Sequence, residues 1–225
     1  MQIFLFDLDA PPQGLDFGSL STTYERDRAA SYMREEDCTR FIHGRLWMRF
    51  FLGQALDRPA SSLRFEETEG QAPILSNGVD PMPLSWSLSR SEETGAMALA
   101  PDGRLGIDIE MPRAVPEADA IAEDHFSKSE QEYLSSFSGE EKEKVFLRLW
   151  TAKEAFSKAL GKGLAADWPG FSVDLSQTPP KLDSAGPETD PRQWHFEAFR
   201  GDYSEYGCVA HDRPINTLKL QDLRS

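Results

Sequence analysis

The stretch Arg104-Leu105-Gly106-Ile107-Asp108-Ile109-Glu110 (RLGIDIE) alternates apolar and polar residues in the manner of a half-buried β-strand. Successive side chains of a strand point to opposite faces, so the apolar residues at 105, 107 and 109 would face a core. Asp108 and Glu110 would share the other face with Gly106, with the two Cβ atoms roughly 7 Å apart. Neighbouring carboxylates repel unless a cation joins them, and hard oxygen ligands suit magnesium.

Two interpretations of this strand are open. In one, Gly106 leaves room for a ligand and the two carboxylates hold a cation. In the other, this is an edge strand whose polar face lies in water, and the alternation by itself favours this simpler interpretation.

A second pattern, WTAKEAFSKALGKGL at 150–164, predicts the end of a helix spanning about 140–161. Glu154 and Lys158 are one turn apart on the face opposite the apolar stripe. A solvated Glu–Lys pair explains this spacing equally well and stabilises a helix by only ~0.3–0.5 kcal/mol. Gly161-Lys162-Gly163 would end the helix. The apolar stripe comprises Val145, Leu149, Ala152, Phe156 and Leu160.

A third pattern is a run of arginines interrupted by acids, including Arg40, Arg45 and Arg49 within a predicted helix over 37–56. These three guanidinium groups would bind phosphates through charge-assisted bonds if they converged. A surface helix of mixed charge is the alternative. The apolar residues of the same helix that we expect in a core are Phe41, Ile42, Leu46, Phe50 and Leu56.

The composition limits the classes of partner. Asp and Glu number 38 against 24 Lys and Arg, for a formal net charge of −14. Nucleic acid is therefore not expected as a partner, because phosphate binding needs a broad basic surface. The start MQIFLFDLDAPP lacks a basic leader, and no apolar run reaches the length of a membrane helix. These features predict a cytoplasmic protein without a membrane span, with Cys38 and Cys208 as free thiols.

The order of the predicted elements indicates two α+β halves that meet near residue 102, namely 1–102 and 103–225. The segment 95–110 is predicted as a hairpin around Pro101-Asp102-Gly103. The segments 57–83 and 176–193 are predicted as irregular connections. Further helical patterns occupy about 117–135, and further strands are predicted at 2–8, 85–90, 171–175, 194–200, 205–211 and 216–220, the last four antiparallel.

Taken together, the motifs resemble the phosphopantetheinyl transferase superfamily, in its larger surfactin-synthetase-activating type. The residues that carry the resemblance are GIDIE at 106–110, HFSKSE at 125–130 and LWTAKEAFSKALGKGL at 149–164. A looser similarity is RFIHGRLWMRFFLG at 40–53. The combination of GIDIE with W-x-x-KE-x-x-x-K is specific, whereas either motif alone is weak.

This resemblance implies an α+β monomer of two similar halves related by a pseudo-twofold axis, with coenzyme A in the cleft between them. The enzyme would transfer 4′-phosphopantetheine to a serine of an apo acyl or peptidyl carrier protein and release adenosine 3′,5′-bisphosphate. Lys158 would face the pyrophosphate, and Glu154 or Glu130 would take the serine proton. Magnesium would be held by Asp108, Glu110 and Glu154. The side chains that would bind coenzyme A are Arg40, Arg45, Arg49, Ser89, Arg90, Lys158 and Lys162.

The sequence departs from the family pattern at two places. The stretch Ser87-Leu88-Ser89-Arg90-Ser91 has Arg90 where the family usually has histidine, and Gly70-Gln71-Ala72-Pro73 lacks the usual lysine. An arginine binds phosphate but does not act as a base. Two other functions are therefore kept: a catalytically degenerate homologue that binds coenzyme A or a carrier, and a magnesium-dependent nucleotide pyrophosphatase.

Overall fold

A computed structural model describes residues 1–68, 72–76, 84–162 and 166–224. The helices are α1 (Phe17–Leu20), α2 (Thr23–Ala30), α3 (Glu35–Ala55), α4 (Ala118–His125), α5 (Lys128–Ser135) and α6 (Gly139–Ala159), with 3₁₀ turns at Ala60–Ser62, Trp168–Gly170 and Pro191–Gln193. The strands are β1 (Gln2–Asp7), β2 (Phe65–Glu66), β3 (Ile74–Leu75), β4 (Ser85–Ser91), β5 (Thr94–Ala100), β6 (Leu105–Glu110), β7 (Ser172–Asp174), β8 (Lys181–Ser184), β9 (His195–Phe199), β10 (Tyr206–His211) and β11 (Lys219–Asp222).

Two sheets organise the chain. The first has the order β11-β1-β5-β4 and the second has the order β6-β10-β9. Helix α3 covers the first sheet through a core that includes Phe6, Met48 and Phe51. Helix α6 covers the second sheet through a core that includes Leu149 and Phe156. A third cluster, with Leu5 and Ala98 from the first sheet and Ile107 from the second, lies between the two sheets.

The predicted α+β class is confirmed, and so are most of the predicted elements. The pattern at 117–135 forms two helices because Ser127 caps a new one. Its hydroxyl accepts from the Glu130 amide, and the Glu130 carboxylate accepts from the Ser127 amide. In α3, Phe41 and Leu46 are buried as expected, whereas Ile42 and Phe50 are only half-buried.

The predicted connections are less accurate. The hairpin expected over 95–110 is wrong, because β5 pairs with β4 and β1 while β6 lies in the other sheet. The segment 176–193 contains β8, which pairs with β7. Strand β11 is not antiparallel to its neighbour but pairs parallel with β1, so the last strand joins the sheet that contains β1, β5 and β4. The division near residue 102 stays a prediction.

Two further observations concern the whole described chain. None of the helices in the described ranges is long and apolar enough to cross a bilayer. Cys38 and Cys208 are both free thiols, and Cys208 is buried.

Candidate active site

A cavity of about 960 Å³ is lined by residues of α3 and β4, from around the first sheet, and of β6 and α6, from around the second. Its volume lies within the ~300–1,000 Å³ usual for a small-molecule site. Elements around both sheets contribute to its polar wall, which includes Arg45, Ser89, Arg90, Asp108, Glu110, Glu154 and Lys158. The apolar wall includes Ile74, Leu75, Leu84, Trp86, Leu88 and Trp150.

Asp108 reaches this cavity because side chains alternate along β6, which places Asp108 on the face of the strand opposite to that of the buried Ile107 and Ile109. Its Oδ1 atom accepts hydrogen bonds from Lys158 Nζ and Ser89 Oγ, both at 2.7 Å. Its Oδ2 atom is buried and has no hydrogen-bond partner among the described residues. An unsatisfied buried carboxylate oxygen is costly, so this atom is suited to a ligand that is a cation or a donor.

Lys158 and Glu154 come from α6, one turn apart, and face Asp108. The Lys158 ammonium lies 2.7 Å from Asp108 Oδ1 and 3.5 Å from Glu154 Oε2. Burial raises the pKa of the Glu154 carboxyl, and the Asp108 carboxylate raises that pKa further, against the opposing effect of Lys158. The alternative of a solvated Glu–Lys pair does not hold, because both side chains are partly buried and Lys158 pairs with Asp108 of β6.

Glu110 lies at the end of β6 and is less enclosed. Its Oε2 atom accepts from Ser91 Oγ at 3.0 Å and from the exposed Arg113 guanidinium at 2.5 Å. Within the described ranges, no three His, Cys, Asp or Glu side chains are already gathered as a metal site. The cation between Asp108 and Glu154 is the Lys158 ammonium.

The predicted arginines lie in three different places. Arg45 lines the cavity and pairs with Glu67 at 2.7 Å. Arg49 is 1% exposed and forms a bidentate pair with Glu25, with both distances 2.7 Å. This corrects the expectation that Arg49 binds coenzyme A, because removing it from Glu25 would leave a buried charge unpaired at ~3–5 kcal/mol. Arg40 lies in a separate groove, where it pairs with Asp9 at 2.8 Å, so the structure does not bring it together with the side chains of the cavity.

Arg90 is exposed, lines the cavity and lies over the Phe41 ring at 5.6 Å. It forms no salt bridge with any residue that the structure describes, in contrast to Arg45. Lys162 is exposed just beyond the end of α6 and is not among the described residues that line the cavity. Gly70, Gln71 and Gly163 lie outside the described residues.

Glu130 does not belong to the cavity wall among the described residues. It is 2% exposed, and its Oε2 atom accepts from Lys153 Nζ at 2.7 Å. Its Oε1 atom accepts from the Val173 amide at 2.8 Å. This arrangement corrects the prediction that Glu130 assists the metal or takes a proton, because both oxygens already bind groups of the core.

Sequence reasoning missed three contributors to the site. Trp150 lines the cavity one turn before Glu154, and Arg113 contacts Glu110 from the loop after β6. Ser91 also contacts Glu110. The only signal for this serine was the alternation of serines in WSLSRS, which is equally typical of a solvated strand face.

Comparison with known proteins agrees with this geometry. The sequence model of the 4′-phosphopantetheinyl transferase superfamily matches residues 104–210. The chain is 31% identical over 187 residues to 4′-phosphopantetheinyl transferase HetI of Nostoc, covering 82% of this chain and 78% of that protein. The chain belongs to the 4′-phosphopantetheinyl transferase superfamily. The resemblance drawn from the motifs is thereby confirmed.

Two further members of the superfamily show how far the similarity extends. The chain is 32% identical to the Synechocystis protein named putative 4′-phosphopantetheinyl transferase slr0495, over 73% of this chain and 66% of that protein. It is 27% identical to 4′-phosphopantetheinyl transferase gsp of Aneurinibacillus migulanus, over 92% of this chain and 86% of that protein. The similarity to gsp covers more of the chain than the superfamily model, which begins at Arg104.

Proposed function

We propose that this chain transfers the 4′-phosphopantetheine group of coenzyme A to a serine of an apo acyl or peptidyl carrier protein. The observation that carries the proposal is the unpartnered buried Oδ2 atom of Asp108, set beside Lys158 and Glu154 in the cavity between the halves. Lys158 and Ser89 both donate to the Oδ1 atom of Asp108, so neither of them satisfies its Oδ2 atom. A bound cation next to a pyrophosphate would satisfy it.

The residues present fit magnesium. Asp108, Glu110 and Glu154 would hold the ion, since all three carboxylates line the cavity and one carries the orphaned oxygen. When bound, the ion neutralises negative charge that develops on the pyrophosphate. Lys158 would then donate to the pyrophosphate, because its ammonium already lies among these carboxylates.

Glu154 is the better candidate for the base. Glu154 lines the cavity, whereas both carboxylate oxygens of Glu130 already accept hydrogen bonds from Lys153 and the Val173 amide. The carrier serine oxygen would bond to the β-phosphorus of coenzyme A as its proton passes to Glu154 directly or through water. The bond from that phosphorus to the bridging oxygen breaks, and adenosine 3′,5′-bisphosphate leaves with the electron pair. Positioning and electrostatics would supply most of the rate.

The basic side chains of the first half would bind coenzyme A phosphates. Arg90 is the strongest candidate because it lines the cavity without a salt bridge to a described residue. Arg45 lines the same cavity but is already paired with Glu67. Ser89, which accepts from Lys158, would share this region. The monomeric state and the cytoplasmic location remain predictions from the sequence.

The decisive experiment incubates the protein with coenzyme A and magnesium, with and without an apo carrier protein. Transfer predicts release of adenosine 3′,5′-bisphosphate only with the carrier, together with a carrier heavier by one phosphopantetheine in mass spectrometry. Release without the carrier would instead support a pyrophosphatase. Binding of coenzyme A without release would support a degenerate homologue. A panel of acyl and peptidyl carriers then identifies the preferred partner.

Arg90 supplies a separate prediction. Arg90→Ala should lower the rate of carrier modification roughly 10- to 150-fold, because loss of a charge-assisted bond costs ~1.5–3 kcal/mol. Arg90→His should keep most of the rate, since histidine is the usual residue of the family at this position. Arg40→Ala is the matched control: it removes an arginine of the same half from the separate groove and should change the rate little. Equal rates for wild type and both Arg90 variants would place Arg90 outside the site.

A further inference from the structure

Three serines of β4, Ser87, Ser89 and Ser91, bridge the two halves of the chain through their hydroxyls. They alternate along the strand and therefore share one face. Opposite them lies β6, which belongs to the other sheet. Each hydroxyl bonds a successive part of β6 or the residue after it: the Ile107 amide, the Asp108 carboxylate, and the Glu110 carboxylate with the Met111 amide. We call these three residues the serine ladder.

The direction of the bonds in the serine ladder follows from the partners. The Met111 amide donates to Ser91 Oγ at 3.0 Å, so the hydroxyl proton of Ser91 is left to donate to Glu110 Oε2, also at 3.0 Å. Ser89 repeats this arrangement: it accepts from Lys158 and donates to Asp108. Ser87 differs, because the partner that the structure gives it on β6 is the Ile107 amide at 3.1 Å.

We propose that Ser91 is a positioning residue that holds the Glu110 carboxylate toward the cavity for a divalent cation. The proposal rests on the proposed function, in which Glu110 is one of the magnesium ligands. Ser91 is anchored by a main-chain amide and is 9% exposed, so its hydroxyl is fixed in place. A hydrogen bond from such a fixed group restricts the rotamers of a long carboxylate side chain and lowers the entropy lost when a cation binds.

Arg113 is a second side chain that binds Glu110, and it competes with Ser91 for the orientation of the carboxylate. The Arg113 side chain is 45% exposed, and its guanidinium also donates to Glu110 Oε2. Without Ser91, the contact that remains to Glu110 Oε2 among the described side chains is the Arg113 guanidinium. Because the Arg113 side chain is more exposed than that of Glu110, this contact alone would favour an orientation of the carboxylate closer to solvent. Ser91 therefore supports the cation-binding orientation of Glu110, whereas Arg113 competes with it.

The test compares Ser91→Ala with Ser87→Ala in the full chain. Both serines are 9% exposed on the same strand and both bind a main-chain amide, but only Ser91 binds a carboxylate. Magnesium chloride is titrated into each protein by calorimetry and by thermal denaturation, with and without coenzyme A. Ser91→Ala should weaken magnesium binding about tenfold, which corresponds to the loss of one hydrogen bond to a charged group. Ser87→Ala should lower the melting temperature but leave the magnesium constant within about twofold of the wild type.

Rescue distinguishes positioning from general damage to the strand. Ser91→Thr keeps the hydroxyl and should restore the magnesium constant, while Ser91→Cys keeps the volume with a weaker donor and should not. The Cys variant also covers the case in which Ser91→Ala folds poorly. Equal magnesium constants for Ser91→Ala, Ser91→Cys and wild type would overturn the proposal and leave the metal assignment standing. A wild type that shows no response to magnesium would overturn the metal assignment itself, and the role of Ser91 with it.

Discussion

Asp108→Ala is expected to lower carrier modification at least about a hundredfold while the protein stays folded. A bound metal ion contributes several kcal/mol of charge stabilisation, and each ~1.4 kcal/mol is a factor of ten in rate. Asp108 supplies the one buried oxygen of the cavity wall that is left unpartnered among the described residues and also holds Lys158. Its loss would therefore disturb both the cation site and the lysine.

The fold should survive because the groups that Asp108 contacts keep other partners. Lys158 retains the carbonyl oxygen of Ile107 at 3.2 Å and the Glu154 carboxylate. Circular dichroism and the melting temperature check this point. Asp108→Asn, which preserves shape and removes the charge, should lose activity to a similar degree.

The matched control is Asp119→Ala, which removes an exposed carboxylate that pairs with Lys142 on the surface. Surface substitutions of this kind usually change stability by less than ~0.5 kcal/mol, and the transfer rate should be unaffected. Near-normal turnover of Asp108→Ala at the magnesium concentration used for the wild type would contradict the assignment of Asp108 to the metal.

The face of β6 on which Asp108 lies could be predicted from the sequence, because strand alternation is a local rule. Only one register lets Ile107 and Ile109 enter the core, and that register puts Asp108 on the opposite face. The family motifs then added Glu154 and Lys158, whose helical spacing is equally local. These side chains do meet in the structure, across 46 or more residues of sequence, because α6 packs against β6.

Arg49 and Glu130 show why local patterns fail elsewhere. Each sits in a motif that resembles a binding residue, but its charge is neutralised by a partner remote in sequence. Arg49 pairs with Glu25, 24 residues away, and Glu130 pairs with Lys153, 23 residues away. The burial of a charged side chain that depends on such a partner cannot be predicted from a single sequence. Acidic and basic residues are common in every helix, so the sequence does not show which of them pair.

The hairpin predicted around Pro101-Asp102-Gly103 failed for a related reason. The turn itself is real, and Gly103 has the positive φ, 87°, that favours glycine there. The chain leaves the turn into a different sheet, since β6 pairs with β10 and not with β5. Turn chemistry specifies a change of direction, whereas the sheet that receives the next strand is decided by packing between distant elements.

Gly106→Ala is expected to destabilise the protein by at least about 3 kcal/mol, at or beyond the upper end of ordinary overpacking. The sequence suggested that Gly106 leaves room for a ligand. The structure shows instead that helix α6 occupies this space, since a Cβ atom at 106 would lie 1.9 Å from the carbonyl oxygen of Ala155 and 2.6 Å from the amide nitrogen of Ala159. Both obstacles are main-chain atoms of a helix, so no side-chain rotation relieves the clash.

The expected result is a melting temperature lower by about 6–12 °C, since 1 kcal/mol corresponds to ~2–4 °C in a chain of this size. Gly186→Ala is the matched control, because a Cβ atom there meets nothing within 4 Å. That substitution should be neutral or slightly stabilising through the entropy of the unfolded chain.

The clash at Gly106→Ala also displaces α6, which carries Glu154 and Lys158, from the strand that carries Asp108. The residual folded fraction of Gly106→Ala should therefore transfer phosphopantetheine more slowly per folded molecule. A normal melting temperature for Gly106→Ala would show that β6 and α6 do not pack as closely as the structure has them, and the distances between Lys158 and Asp108 would then need revision.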